Sequence, residues 1–191
     1  IQVVIVPIYK NEEDLNKIKN TLNPLINKLS ENNNSFYFDN RKNISPGFKF
    51  NEWEMKGVPL RLEIGMRDLN AHILTLSRRD TNEKFTIPIK KSFEVITKTL
   101  KDIQLNLFNQ ASDFKNQNTH SVNNYSDFKT IIQNGGFIKC GWDGSKETEL
   151  KIKKETNATI RCIPLNQNIQ NLVCVYSKKS AKYEVVFAKA Y

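Results

Sequence analysis

A chain of 191 residues is long enough for one or two domains with a real core, and its apolar residues never gather into the ~20-residue run of a membrane span. Twenty-nine Lys and Arg against 20 Asp and Glu leave a net charge of +9, which fits a polyanionic partner such as nucleic acid or, more plainly, a solvated basic surface. Three cysteines, Cys140, Cys162 and Cys174, form an odd set without framework spacing, which argues against a disulfide-stapled secreted fold and for a reducing, cytosolic compartment.

The chain opens on "IQVVIVPIYK", which has no basic leader before its apolar stretch and reads as a strand rather than a signal peptide. A chain that starts inside a strand resembles a piece of a larger protein. "QVVIVPI" is nearly all apolar, as in a strand covered on both faces. Asn11 then offers an N-cap, with Glu12, Glu13 and Asp14 in the first turn and Leu15, Ile18, Leu22, Leu25, Ile26 and Leu29 at helical spacing. Pro24 is expected to kink or divide that helix. "ENNNS" is a turn and "FYFD" a short strand, so strand, helix and strand point to a right-handed crossover in an α/β layer structure.

Ser45 and Pro46 mark a second helix start, and Gly57 its stop. "VPLRLEIG" alternates strictly, with Val58, Leu60, Leu62 and Ile64 facing one way and Arg61 and Glu63 the other. "HILTLSRRD" and "KFTIPI" form a hairpin around "DTNE". Ile89, Phe93, Ile96, Leu100, Ile103, Leu107, Ala111 and Phe114 mark one face of a long amphipathic helix. The composition turns polar at "NQNTHSVNN", where a boundary is placed between residues 119 and 120. Beyond it come a helix in "YSDFKTIIQNGG", a strand from Phe137 to Cys140, a helix in "KETELKIKKE", a strand in "TIRCIP", and a final pair around "LVCVYS" and "KYEVVFAKAY". The expected architecture is a mixed-sheet α/β domain followed by a small α+β domain.

No phosphate-cradling loop and no Gly-x-Ser-x-Gly elbow occurs, and His72 and His120 read as surface or structural residues. The cysteine spacing carries no zinc signal of its own. The charged faces say more. Glu54, Arg61, Arg67, Asp68, Arg78 and Arg79 are placed to converge at one edge of the sheet. A carboxylate accepts from the Watson–Crick edge of guanine, and arginine donates to O6, N7 or phosphate. The residues alone leave a nucleic-acid face and a solvated face both open. Glu54 could equally pair with Lys56 or Arg61, and Phe48, Phe50 and Trp53 fit a core better than a base-stacking platform.

"SPGFKFNEWEMKGVPLRLEIGMRDL", "SRRDT", "ATIRCIP" and "AKYEVVFAKAY" closely resemble the C-terminal part of prolyl-tRNA synthetase, of the archaeal and eukaryotic-like type, over essentially the whole chain. The resemblance implies a class IIa anticodon-binding domain over residues 1–119 and a zinc-binding-type domain over residues 120–191. It implies that Glu54, Arg61, Arg67 and Lys84 read the two guanines shared by proline anticodons, with Asn43 and Asp68 as further anticodon-binding positions. It also implies that the Tyr191 carboxylate reaches toward the catalytic centre.

The second domain departs from the family. Its four zinc positions fall on Asp143, Thr148, Cys174 and Ser177, so only one thiol is kept, and the domain is expected without its metal. Cys162 belongs to "RCIP" and is not a ligand position. The class II motifs that use ATP and Mg are not found in these residues. The implied partners are tRNA(Pro), the catalytic domain of the same chain and, for the parent enzyme, a second copy in a cytoplasmic homodimer. An assembly module that supports the catalytic core, with little direct RNA reading, is the alternative.

Overall fold

The computed structural model describes residues 1–189. They fall into two compact units, Ile1–Asn109 and a second one from Gln110 onward. The first is built on a five-stranded sheet of order β2-β1-β3-β4-β5, formed by β1 (Val3–Ile8), β2 (Phe36–Phe38), β3 (Leu60–Gly65), β4 (Ile73–Arg78) and β5 (Lys84–Pro88). β1 lies between β2 and β3 and is parallel to both, while β4 and β5 continue the sheet antiparallel.

α1 (Glu12–Glu31) starts where Asn11 caps the Asp14 amide at 2.9 Å, and buries Leu15, Ile18, Leu22, Leu25 and Leu29. Pro24 does not divide it. Pro24 and Asn20, whose carbonyl loses its partner, both lie on the exposed side, where water can serve that carbonyl. With α4 (Ser92–Gln117), α1 covers the sheet face made by Val3, Ile5, Leu60, Leu62, Ile64, Leu74, Leu76 and Ile87. A six-residue strand spans about 20 Å and a 26-residue helix about 39 Å, so α4 outruns the sheet. Leu107, Ala111 and Phe114, expected on its buried face, are accordingly exposed, and its buried stripe ends at Ile103.

The other face is covered over β1 alone. Val4 and Val6 pack with Trp53 and Val58, and half-buried Phe50 joins them. Trp53 and Phe50 come from α2 (Pro46–Met55), which Ser45 caps and which turns into β3 at Gly57, where a φ of 79° suits glycine. One buried residue fastens this helix. Asp39, fully buried just beyond β2, accepts from Trp53 Nε1 at 2.7 Å and from both Nε and Nη2 of Arg41, at 2.9 and 2.7 Å. Buried Lys49 donates to its carbonyl at 3.0 Å, and Arg41 reaches on to Glu52 at 2.7 Å. Burial pushes the Asp39 carboxyl up, but the bonds from Arg41 and Trp53 and the charge of Lys49 hold it well below the usual carboxylate range.

The second unit carries a sheet of order β6-β7-β9-β8, from β6 (Thr119–Ser121), β7 (Phe137–Trp142), β8 (Ala158–Cys162) and β9 (Tyr183–Lys189). α5 (Tyr125–Gln133) and α6 (Lys146–Thr156) contribute Phe128, Ile132 and Ile152 to a core with Ile138, Val185 and Phe187. The two compact units divide inside α4, and the polar run at the expected boundary holds β6, paired with β7 through Thr119 and His120. The "LVCVYS" segment is not a strand. It makes isolated bridges, Gly141 to Cys174 and Val173 to Ser180, because Lys178, at a φ of 60°, turns it back at once.

Replacing Asp39 with Ala leaves buried Lys49 without its carboxylate and Arg41 with Glu52 alone, and is expected to destabilise the first unit by about 3–5 kcal/mol. Urea unfolding followed by Trp53 fluorescence, in a Trp142→Phe background, measures it. Because the folded carboxyl lies below its ordinary value, this stabilisation is complete above the ordinary carboxylate pKa of about 4 and is lost as pH falls through the depressed one.

Candidate nucleic-acid interface

Among the described residues of this unit, α2 covers β1 and leaves the same face of β3, β4 and β5 without a helix. Strand register fixes what stands there. Arg61 pairs with Ser77 and Ser77 with Lys84, giving one row; Glu63, Thr75 and Thr86 give the next. The alternation that sends Leu60, Leu62 and Ile64 into the core sends these polar residues to the open side.

Glu63 organises the rows. Its carboxylate is largely buried, at 6% side-chain exposure, and takes a different cation on each oxygen. Arg61 Nε donates to Oε1 at 3.0 Å, and Lys84 Nζ to Oε2 at 2.6 Å. Arg61 Nη2 also donates to Ser77 Oγ at 3.3 Å, and its guanidinium lies 4.3 Å from the centre of the Phe50 ring. Arg61 is thus held by a carboxylate, a hydroxyl and an aromatic face, and still has guanidinium donors to spare. Phe50 is neither plain core nor a free platform but the floor under Arg61.

Glu54 lies exposed near the end of α2, which runs back toward the start of β3. Among the described residues its carboxylate has no hydrogen-bond or ion-pair partner: Lys56 pairs with Glu52, and Arg61 with Glu63. Arg79 donates to the Glu54 carbonyl at 3.1 Å, which ties this corner to the end of β4. Glu54, Arg61, Lys84 and Arg79 therefore belong to one end of the open face.

The other expected residues are elsewhere. Arg67 is exposed on α3 (Met66–Asn70), a short helix past the far end of β3, and Asp68 beside it spends an oxygen on the Gly65 amide at 2.8 Å. Asn43, at a φ of 61°, lines a cavity of about 340 Å³ with Tyr9, Lys10 and Lys49 at the opposite end of α2. Arg78 shares the face of its partner Leu60 and grips Asp80, which Asn106 of α4 also binds at 2.7 Å, so it does not join the charged edge. Glu63, Ser77 and Phe50 are the contributors that sequence reading did not single out as site residues. Counting back from the "DTNE" turn would have set Ser77 and Lys84 opposite each other, but not the depth at which Glu63 lies.

In the second unit Asp143, Thr148, Cys174 and Ser177 do come together. Asp143 Oδ2 accepts from Ser177 Oγ at 2.6 Å and from Thr148 Oγ1 at 2.9 Å, and Asp143 Oδ1 accepts from the Ser145 amide at 3.0 Å. The Ser177 amide lies 3.5 Å from Cys174 Sγ as its donor. Burial raises the Asp143 carboxyl, but the bonds from Ser177, the Ser145 amide and Thr148 bring it below its ordinary value. One thiol, two hydroxyls and a carboxylate already engaged do not suit zinc. Among the described residues no group of three or more His, Cys, Asp or Glu could hold a metal ion. The nearby Cys140 thiol is pushed up to about 12, by burial first and then by Cys174. Tyr191 lies outside the described residues.

The family described as "Anticodon binding domain" matches residues 2–99, and the family described as "Prolyl-tRNA synthetase, C-terminal" matches residues 125–191. The chain is 46% identical over 192 aligned residues to a "Proline--tRNA ligase" of Amoebophilus asiaticus, covering 100% of this chain and 39% of that one. It is 46% identical to the protein of the same name from Cytophaga hutchinsonii, and 45% to that from Porphyromonas gingivalis, covering 100% of this chain and 39% and 38% of theirs. The chain thus spans about two-fifths of the length of the curated relatives it matches.

Replacing Asp143 with Ala strands two hydroxyls and an amide. It is expected to lower the stability of the second unit by about 1–3 kcal/mol, the scale of hydrogen bonds to a charged group. Trp142, whose Nε1 donates to the Ser145 carbonyl at 3.2 Å, reports the unfolding.

Proposed function

We propose, because the chain belongs to the anticodon-binding domain family and its second unit to the prolyl-tRNA synthetase C-terminal family, that its open sheet face reads the anticodon of a proline tRNA. The observation that carries this reading is the pair of cations, Arg61 and Lys84, fixed on one carboxylate at an uncovered sheet face. Arg61 and Lys84 supply donors for guanine O6 and N7 or for phosphate, and the unpaired Glu54 carboxylate supplies an acceptor for guanine N1–H and N2–H. Single-stranded bases splayed from a loop can reach such a face, where a duplex would present its backbone. Arg67, Asn43 and Asp68, past the other end of the sheet, suit the flanking backbone better than the same bases, and Asp68 contributes by shaping the turn that carries Arg67.

The whole protein in this reading is a proline–tRNA ligase of class II, a cytoplasmic homodimer that joins proline to tRNA(Pro) with ATP and Mg in a catalytic domain outside these residues. The Asp143 clasp does in the second unit the fastening that zinc does in the family pattern, so the unit folds without metal. Tyr191 is expected at the catalytic centre. Among the described residues no helix is long and apolar enough to cross a membrane. A second reading, an assembly surface, draws on Leu105, Leu107 and Phe108, which lie exposed along a cavity of about 790 Å³ beside α4. RNA binding that weakens steeply with salt supports the first reading over the second.

Glu54→Ala and Arg61→Ala are each expected to weaken binding of a proline anticodon stem-loop by about 1–3 kcal/mol, the scale of one good base contact. Equal losses on stem-loops with and without the two guanines contradict base reading. Elemental analysis is expected to find no stoichiometric zinc, and chelation to leave the melting temperature unchanged, since there is no metal-binding energy to lose.

A further inference from the structure

The Glu63 carboxylate is unusual in its placing. A strand position on a face bordered by Thr75 and Thr86 would be filled well by another threonine, and a nearly buried carboxylate is costly unless it is fully paired. For an RNA-binding surface a negative charge there also opposes the polyanion. Both penalties are met in return for geometry. The two oxygens of one carboxylate set Arg61 Nε and Lys84 Nζ at a fixed spacing, and Ser77 and Phe50 fix the tilt of the guanidinium. Arg61 is left with 16% side-chain exposure and Lys84 with 53%, so the pair presents one held fork and one reachable ammonium on the open face.

We infer that Glu63 is a positioning residue that sets base specificity: it restrains Arg61 and Lys84 as a base-reading pair and, by its charge, keeps them from acting as a general phosphate patch. The inference rests on the anticodon-reading proposal above. It separates two quantities that an ordinary structural residue moves together. Removing the charge releases both cations and raises the local positive charge by one. Affinity for an RNA without the two guanines then holds or rises, while discrimination between bases falls.

The test uses the whole 191-residue chain with two RNAs, a proline anticodon stem-loop and the same stem-loop with its two guanines replaced by adenines. For Glu63→Gln the expected result is a loss of discrimination of about tenfold or more, on the scale of one bidentate base contact. Affinity for the adenine RNA is expected to stay the same or rise, and its salt dependence to steepen. Glu63→Thr, matched to Thr75 and Thr86, is the second variant and is expected to behave alike if the glutamine variant folds poorly. Glu63→Asp keeps the charge but is a methylene shorter, so it is expected to keep weak binding of the adenine RNA while losing part of the discrimination. A native chain that binds both RNAs equally overturns the anticodon reading itself. A native chain that discriminates, with variants that discriminate equally well or lose the same factor on both RNAs, overturns the role of Glu63 alone.

Discussion

A carboxylate with no exposure to water is tolerable only where partners close around it: that of Asp39 accepts from the indole of Trp53 and the guanidinium of Arg41, and the ammonium of Lys49, which donates to the Asp39 carbonyl, lies 3.7 Å from it. Two of these donors belong to α2, and the third is tied to α2 through Glu52. The small apolar patch of Val4, Val6, Trp53 and Val58 holds the helix down, but it has no direction of its own. Hydrogen bonds to a single residue, Asp39, supply that direction. They set which side of α2 faces the sheet, and hence that Phe50 lies under Arg61 and that Glu54 emerges beside the start of β3.

Three anionic side chains do similar work at three places. Asp39 orients a helix, Glu63 spaces two cations, and Asp143 gathers two hydroxyls and an amide. They differ in surroundings. Asp39 and Glu63 take hydrogen bonds from cations; the hydrogen bonds to Asp143 come from neutral groups, which water can satisfy more readily. In the second unit the polar clasp sits where β7 turns into α6, and the Cys174 turn is drawn onto it from a distant part of the chain. Gly141 admits that approach: a side chain there would collide with the Val173 carbonyl and the Leu172 side chain.

Much of this was legible in the residues. Caps at Asn11 and Ser45, the stop at Gly57 and the strict alternation of "VPLRLEIG" depend on local chemistry, and the elements stand where these signals put them. The convergence of Asp143, Thr148, Cys174 and Ser177 followed from the resemblance, since no local pattern links residues so far apart. What sequence could not show depends on depth and register. Periodicity continued past Ile103, but it does not say where the sheet beneath a helix ends. Pro24 is a helix breaker only where its orphaned carbonyl has no water. Arg78 and Ser77 are adjacent in sequence and on opposite faces of the sheet, so a list of nearby charges mixed a structural arginine with the candidate site. Glu63 was visible as an outward residue of a strand, but its two partners meet it only once β3, β4 and β5 are paired.

The account turns on which surface meets RNA. The most direct measurement is an amide and side-chain NMR titration of the chain with a proline anticodon stem-loop. The account predicts that the resonances perturbed first and furthest are those of Phe50, Glu54, Arg61, Ser77 and Lys84, with the helix-covered face of α1 unmoved. Perturbations centred instead on α1, or on the exposed Leu105, Leu107 and Phe108 of α4, with the β3–β5 face silent, would contradict it.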